Sequence, residues 1–220
     1  MLPVVFTLAG CIPPTVYGLR FDGSMAENSE LALTGGYYPD QASSGNSPAD
    51  ASVLGLQGRQ RLGNNVTAAL TAGAAPGTLE DSLFGNAELD IQGRLLDEKP
   101  LTLAVSGGLS AIGTPDGAQL NLLAGFQFGV VASRHLGSDF RPFVAAKINP
   151  VFGGGSAIYP WLTAGGGLTW RPVVAPGTRA LFAAEVFGLH GFGADLENAT
   201  DITTWGVGLQ AGASFGNENW

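Results

Sequence analysis

Residues 203–215 read TTWGVGLQAGASF. Trp205, Val207, Leu209, Ala211, Ala213 and Phe215 alternate with Gly206, Gly208, Gln210, Gly212 and Ser214. A period of two is the mark of a strand, whose successive side chains point to opposite faces. The same period governs segments 30–38, 52–62, 66–74, 83–96, 101–112, 119–133, 140–148, 159–170 and 178–190. The chain therefore predicts about ten strands of roughly ten residues, separated by stretches rich in Gly, Pro, Asn, Asp and Ser. No multi-residue repeat and no domain boundary interrupts them.

The two faces of these strands differ in an informative way. In 83–96, Leu83, Gly85, Ala87, Leu89, Ile91, Gly93 and Leu95 share one face, and Phe84, Asn86, Glu88, Asp90, Gln92 and Arg94 the other. Five polar side chains on one face of one strand do not fit a dry core. In 101–112, Leu101, Leu103, Val105 and Leu109 oppose Thr102, Ala104, Ser106, Gly108 and Ser110. In 140–148, Val144, Ala146 and Ile148 oppose Arg141, Phe143 and Lys147. One face is bulky and apolar; the other is small or polar, and only sparsely charged.

Composition sharpens this picture. Of the 220 residues only 13% are charged, about half the share usual in a soluble domain. Glycine is abundant at 34 residues, and no apolar run approaches the roughly 20 residues of a membrane-spanning helix. An apolar, charge-poor, glycine-rich chain of ten-residue alternating strands fits an antiparallel up-and-down transmembrane β-barrel, an all-β fold. Ten strands are expected, with eight or twelve as the alternatives. The bulky face would then meet lipid and the small face a lumen. The net charge of −8 and the absence of basic runs argue against nucleic acid.

Connections after the even-numbered strands are mostly short (GNN, DEKP, HLGSD, RPVVAPG), and those after the odd-numbered strands mostly longer. Membrane barrels have short turns on one side and longer loops on the other. Tyr37, Tyr38, Tyr159 and Trp205 fall at the expected loop ends, and Phe140, Trp170 and Phe215 at the turn ends, as two interfacial belts would. The stretch 203–215 also resembles the C-terminal signal strand of bacterial outer-membrane β-barrel proteins, which alternates apolar residues and ends in Phe or Trp. Here GNENW follows Phe215, so residues 216–220 read as a tail. The resemblance implies a bacterial outer-membrane location, with outer-membrane lipid as the partner of the outward face, and an even strand count would put both termini on the periplasmic side.

The chain opens MLPVVFTLAGCIPP, and Leu8-Ala9-Gly10-Cys11 resembles the lipobox of bacterial lipoproteins. That resemblance implies cleavage before Cys11 and its acylation, although the apolar segment is short and no Lys or Arg precedes it. Residues 1–11 thus read as a signal segment, 12–28 as a periplasmic lead-in and 29–215 as the barrel.

Function, if it lies in the barrel, lies on the lumen face. The candidates are Arg59, Glu88, Asp90, Arg94, Arg141, Lys147 and Glu185, with Gln57, Gln92, Gln127 and Gln210. Two readings are open. Small barrels fill with side chains, and on that reading the set is a salt-bridged plug. Interior Gly55, Gly125, Gly129, Gly165, Gly167, Gly206, Gly208 and Gly212 would leave space for a pore or a ligand such as a small polar solute. A plain meander sets Thr163 between Lys147 and Glu185 in one inward row, which allows a lumenal ion pair.

No cofactor, metal cluster or phosphate loop is indicated. The two histidines, His135 and His190, fall in a turn and near a strand end, so no enzyme activity is expected. The roles expected are a structural barrel or a small passive pore. The alternatives are a soluble all-β binding protein tethered through Cys11 and, further off, an outer-membrane lipid-modifying enzyme.

Overall fold

The computed structural model describes residues 26, 28–42, 48–76, 83–98, 100–116, 119–153, 157–191 and 202–216. The Cys11 motif, most of the 12–28 lead-in and residues 217–220 lie outside them. Every regular element among the described residues is a strand: β1 (Ser29–Ala42), β2 (Pro48–Gly63), β3 (Val66–Pro76), β4 (Leu83–Glu98), β5 (Leu101–Asp116), β6 (Gln119–Arg134), β7 (Phe140–Gly153), β8 (Ala157–Trp170), β9 (Val173–Ala175), β10 (Thr178–Gly191) and β11 (Ile202–Phe215). Each long strand pairs antiparallel with its neighbours in the chain, and β11 closes onto β1 from Ser29↔Phe215 to Tyr37↔Val207. The result is a closed barrel of ten long strands, with β9 a three-residue spur beside the start of β10.

The ladder shows how the barrel closes. A row of directly opposed residues starts at Ser29 and passes through Gln60, Ala68, Ile91, Gly107 and Phe128. It continues through Ile148, Leu162 and His190 to Thr203. Thr203 lies beyond Val207, the last residue paired across the seam. The row therefore returns to β1 about twelve residues above its start, which is the stagger that tilted strands need to close. The end where β1 begins and β11 finishes is called the turn end below, and the other the loop end.

Alternation sorts the side chains as the strand pattern requires. Leu33, Leu54, Leu89, Ile91, Phe128, Val144, Val186 and Leu209 are exposed on the outside. Thr34, Gln57, Asp90, Gln127, Lys147 and Glu185 are buried on the inside. Near the turn end the outward rings of Phe140, Trp170 and Phe182 stack in sequence, with centroids 5.9 Å and 5.4 Å apart. Tyr37 and Trp205 are exposed toward the loop end.

The structure departs from the sequence reading at the loop end, where strands run on into segments expected to be loops. Residues 150–158 are mostly strand, with Val151↔Tyr159, Phe152↔Ile158 and Gly153↔Ala157 paired. Pro150 faces Pro160 there. A proline has no N–H to give a ladder, so it is tolerated only where no bond is required of it. The β6–β7 pairs break between Gly125↔Val151 and Phe128↔Ile148, on either side of Pro150. The β8–β10 pairs stop at Trp161↔Gly191, just short of Pro160. The strands also leave only 117–118 between β5 and β6, so the expected contrast between long and short connections is reduced.

A second departure concerns register. Thr163 opposes Lys147 on one side but Leu189, not Glu185, on the other. Glu185 faces Gly167 instead. The cause is the tight turn at Pro176-Gly177, where Gly177 takes φ 68°. The start of β10 folds back on β9 first, through Ala175↔Thr178 and Val173↔Arg179. Trp170 consequently meets Phe182 rather than Thr178, and the ladder is displaced along β10.

Candidate functional site

The interior holds two charged clusters. Near the turn end, Glu30 of β1 is buried and its carboxylate is held from both sides. Arg59 Nη1 of β2 donates to Oε2 at 2.6 Å, and Arg171 Nη1, just beyond β8, donates to Oε1 at 2.5 Å. Ser214 Oγ donates to Oε1 at 3.4 Å, and Arg59 Nη2 donates to Gln92 Oε1 at 3.0 Å. Since β1 and β11 form the closing seam, this one carboxylate ties strands on either side of it.

The second cluster lies deeper along the barrel. Lys147 Nζ of β7 stands 4.0 Å from Asp90 Oδ2 of β4, and Gln127 Nε2 of β6 donates to Asp90 Oδ1 at 2.6 Å. Neutral bonds fill the levels around it. Gln57 Nε2 donates to Thr71 Oγ1 at 3.1 Å and Gln210 Nε2 to Gln57 Oε1 at 2.6 Å. Asn149 Nδ2 donates to Ser110 Oγ at 3.2 Å. Charges taken out of water need partners, because an unpaired buried charge costs several kcal/mol.

The residues named from the sequence are placed as follows. Gln57, Arg59, Glu88, Asp90, Gln92, Gln127, Lys147 and Glu185 are buried on the inner face. Arg94, Arg141 and Gln210 are partly exposed, and Arg94 Nη2 donates to Asn64 O and Asn65 Oδ1 in the β2–β3 turn. Lys147 and Asp90 come together; Lys147 and Glu185 share the interior but not the expected row.

Two charged members of the first cluster were not among those candidates. Glu30 sits opposite Leu31 and Leu33 in the alternation of β1, and Arg171 continues the inward parity of Thr163 and Thr169 one step past the strand end. Parity alone could have found both. The interior also carries apolar bulk. Phe143, Val151, Trp161, Leu181, Phe187 and Leu189 are buried on the inner face of β7, β8 and β10.

Several interior glycines are closely covered by their neighbours. A Cβ on Gly108 would stand 2.6 Å from Asp90 Oδ1, and one on Gly129 would stand 2.9 Å from Lys147 Cγ. A Cβ on Gly208 would collide with Glu185 Oε1, and one on Gly191 would stand 2.9 Å from the Trp161 ring. At Gly129, Gly191 and Gly208 a neighbour's longer side chain takes the space a Cβ would fill, and at Gly108 the Leu89 carbonyl lies closest. A small cavity remains beside Glu185, lined by Phe143, Thr169, Ala183, Gly208 and Gln210. Among the described residues no three His, Cys, Asp or Glu side chains converge as metal ligands would.

No family model and no curated protein matches the chain. Solved structures similar to it include three bacterial barrels. The outer membrane protease OmpT of Escherichia coli is 9% identical, with a TM-score of 0.41 over 86% of this chain and 95% of that one. The β-domain of the Bordetella autotransporter BrkA is 11% identical, with a TM-score of 0.49 over 86% and 100%. The translocator domain of the autotransporter NalP from Neisseria meningitidis is 11% identical, with a TM-score of 0.45 over 85% and 86%. At these levels the likeness is one of barrel architecture. It does correct one expectation: a protease stands among these barrels, so the expected absence of enzyme activity is not retained. The same likeness assigns no reaction to this chain.

Proposed function

We propose that this chain is a bacterial outer-membrane barrel closed at rest by its own interior side chains, a structural barrel rather than an open passive pore. The observation that carries this reading is the burial of the inner charges. Glu30, Arg59, Asp90 and Lys147 are each no more than 5% exposed. A water-filled channel past these residues would leave them accessible. A ten-strand barrel is little wider than the eight-strand barrels whose interiors side chains fill.

The outward surface supports the membrane. Apolar side chains cover the outside of every long strand; Leu33 is 66% exposed and Leu54 74%. A contiguous apolar surface of this kind needs a partner, and lipid covers a closed cylinder on all sides. In this reading the turn end is periplasmic, and Cys11 adds a lipid anchor to the barrel. The reading differs sharply from that of a tethered soluble domain. The Cys11→Ser protein is expected to stay in the membrane until detergent is added, whereas a tethered domain would be released into buffer.

The closed state is tested by single-channel recording of the purified protein in a planar bilayer. The wild type is expected to be silent. Steady conductance steps from the wild type would overturn the closed reading and restore that of a small pore.

A further inference from the structure

Strands β6 and β7 are paired toward both ends of their contact and parted between. The ladder holds at Gly125↔Val151 and resumes at Phe128↔Ile148. Counted from either pair, Phe126 falls opposite Pro150 and Gln127 opposite Asn149, and these positions are not joined. Proline has no N–H, so the break falls where β7 cannot supply a donor.

The inner side of this break is rich in oxygen. A Cβ on Gly125 would stand 2.7 Å from Pro150 O, 2.9 Å from Asn149 Oδ1 and 3.1 Å from Ser110 Oγ. Oxygens of β5 and β7 thus converge on one spot over β6. Asn149 and Gln127 are each 1% exposed. Asn149 Nδ2 donates to Ser110 Oγ, and Gln127 Nε2 donates to Asp90 Oδ1. The other ends of the two amides, Asn149 Oδ1 and Gln127 Oε1, are buried with no hydrogen-bond donor among the described residues. Buried acceptors of this kind call for an explanation.

The local charge points the same way. Away from the turn end, the described charges on the inner faces of β4 to β7 are Glu88, Asp90 and Lys147. Glu88 is directly opposite Ser110 across β4 and β5. Two carboxylates against one ammonium leave one negative charge over, and an unbalanced charge inside a protein is costly.

We propose that the break binds a hard metal cation through Asn149 Oδ1, Ser110 Oγ and Pro150 O, with Gln127 Oε1 and the charge of Glu88 beside them. Amide, hydroxyl and backbone oxygens with a carboxylate are the ligands such cations take, and the set has no sulfur or imidazole for a softer metal. The ion ties β5 to β7 where ladder bonds are missing, and it offsets the surplus charge. The inference rests on the register of β4 to β8 and not on the closed state of the barrel.

Thermal stability of the full-length protein in detergent tests it. The protein is stripped with chelator and folded in N-methylglucamine chloride alone, or with Na⁺ or Ca²⁺ added at equal ionic strength, so that the ion enters before the barrel closes. At roughly a hundredfold above its dissociation constant, the ion that binds is expected to raise the temperature at which the folded gel band is lost by about 5 °C or more. A rise with Na⁺ or with Ca²⁺ supports the site and gives the charge of its ion. Gly125→Ala places a methyl among the oxygens and is expected to abolish the rise. Asn149→Asp adds a charge to the ligands. It is expected to be less stable than the wild type without the ion and to show a larger rise with it. Asn149→Asp carries the test if Gly125→Ala does not fold.

Where Ca²⁺ gives the rise, position is read with Tb³⁺, which takes the same oxygen ligands. Trp161 is directly opposite Asn149 and only 5% exposed. Excitation of tryptophan is therefore expected to produce Tb³⁺ emission that Ca²⁺ displaces and Trp161→Phe removes. A wild type whose stability is the same in all three solutions would overturn the site. A rise that Gly125→Ala retains, or emission that outlasts Trp161→Phe, would overturn it as well, since the ion would then sit elsewhere. So would an Asn149→Asp protein equally weakened in every solution, because the Asn149 amide would then be needed as a donor.

Discussion

Glu30 and Arg171 are 141 positions apart in the chain and joined by a 2.5 Å contact inside the barrel. The contact spans the seam at which the sheet closes, because β10 and β11 lie between Arg171 and β1. Arg59 holds the second oxygen of the same carboxylate. Glu30→Ala would leave two buried guanidinium groups facing each other with no anion between them. It is expected to cost about 3–5 kcal/mol, the usual penalty for breaking a buried pair from one side. The measurement is urea unfolding in detergent micelles. Adding Arg171→Ala to Glu30→Ala should recover part of the loss; a double variant that loses the sum of the two singles would show the contact to be energetically idle.

The Lys147–Asp90 pair is longer, at 4.0 Å, and is backed by Gln127. Lys147→Met keeps the length of the side chain but strands the Asp90 carboxylate. Lys147→Met is expected to destabilise by about 3 kcal/mol or more, and Lys147→Met/Asp90→Asn to regain most of it, since neutralising both partners removes the buried charge. Equal stability of the single and double variants would mean that Asp90 is held by groups other than Lys147.

Much of this architecture is legible from side-chain alternation. The faces of Leu31 and Leu33, of Glu88, Asp90 and Gln92, and of Lys147 follow from a period of two, which one residue of slip would invert. Strand ends and offsets are less legible, because they depend on turns and not on the pattern. Nothing in the alternation of 157–170 and 178–191 says that Pro176-Gly177 turns tightly enough to pair Trp170 with Phe182. Pro150 and Pro160 look like loop residues until they are seen to face each other beside the breaks in the outer ladders. The glycines misled for a related reason. A glycine reads as missing volume, whereas the volume is taken by a residue from the next strand, which only the register can identify.

This filling gives a contrast between two glycines. Gly208→Ala would push a methyl into the Glu185 carboxylate, and Gly129→Ala would crowd Lys147. Each is expected to destabilise by about 1–3 kcal/mol, the range for overpacking. Gly58→Ala, on the outside of β2 with nothing within 4 Å, serves as the control and should be neutral or slightly stabilising. The temperature at which the folded gel band is lost checks all three. A tolerated Gly208→Ala would mean that Glu185 does not lie against that part of the wall.

The tryptophans report on which surface meets lipid. Trp170 and Trp205 are exposed on the outside, 40% and 51%, while Trp161 is buried within the barrel. In vesicles of brominated phosphatidylcholine, single-tryptophan variants that retain Trp170 or Trp205 are expected to lose much of their fluorescence. The stronger quenching should come from bromines near the headgroups, where aromatic belts sit. A variant retaining only Trp161 should be nearly unaffected. Quenching of Trp161 to the same extent would contradict the inward placement of its face of β8.

The β8–β10 register can be tested by covalent trapping. Thr163 and Leu189 are directly opposed on the inner face, and a directly opposed pair has Cβ atoms about 4.5–5.5 Å apart, near the reach of a disulfide. Glu185 lies four residues along β10 from Leu189, roughly 13 Å at the usual strand rise, which is beyond any disulfide. In a Cys11→Ser background, Thr163→Cys/Leu189→Cys is expected to cross-link readily under mild oxidation, and Thr163→Cys/Glu185→Cys to remain reduced. The reverse result would restore the plain meander, with Lys147, Thr163 and Glu185 in one row. It would also remove the reason for Trp170 to lie between Phe140 and Phe182, because that three-ring stack depends on the same offset.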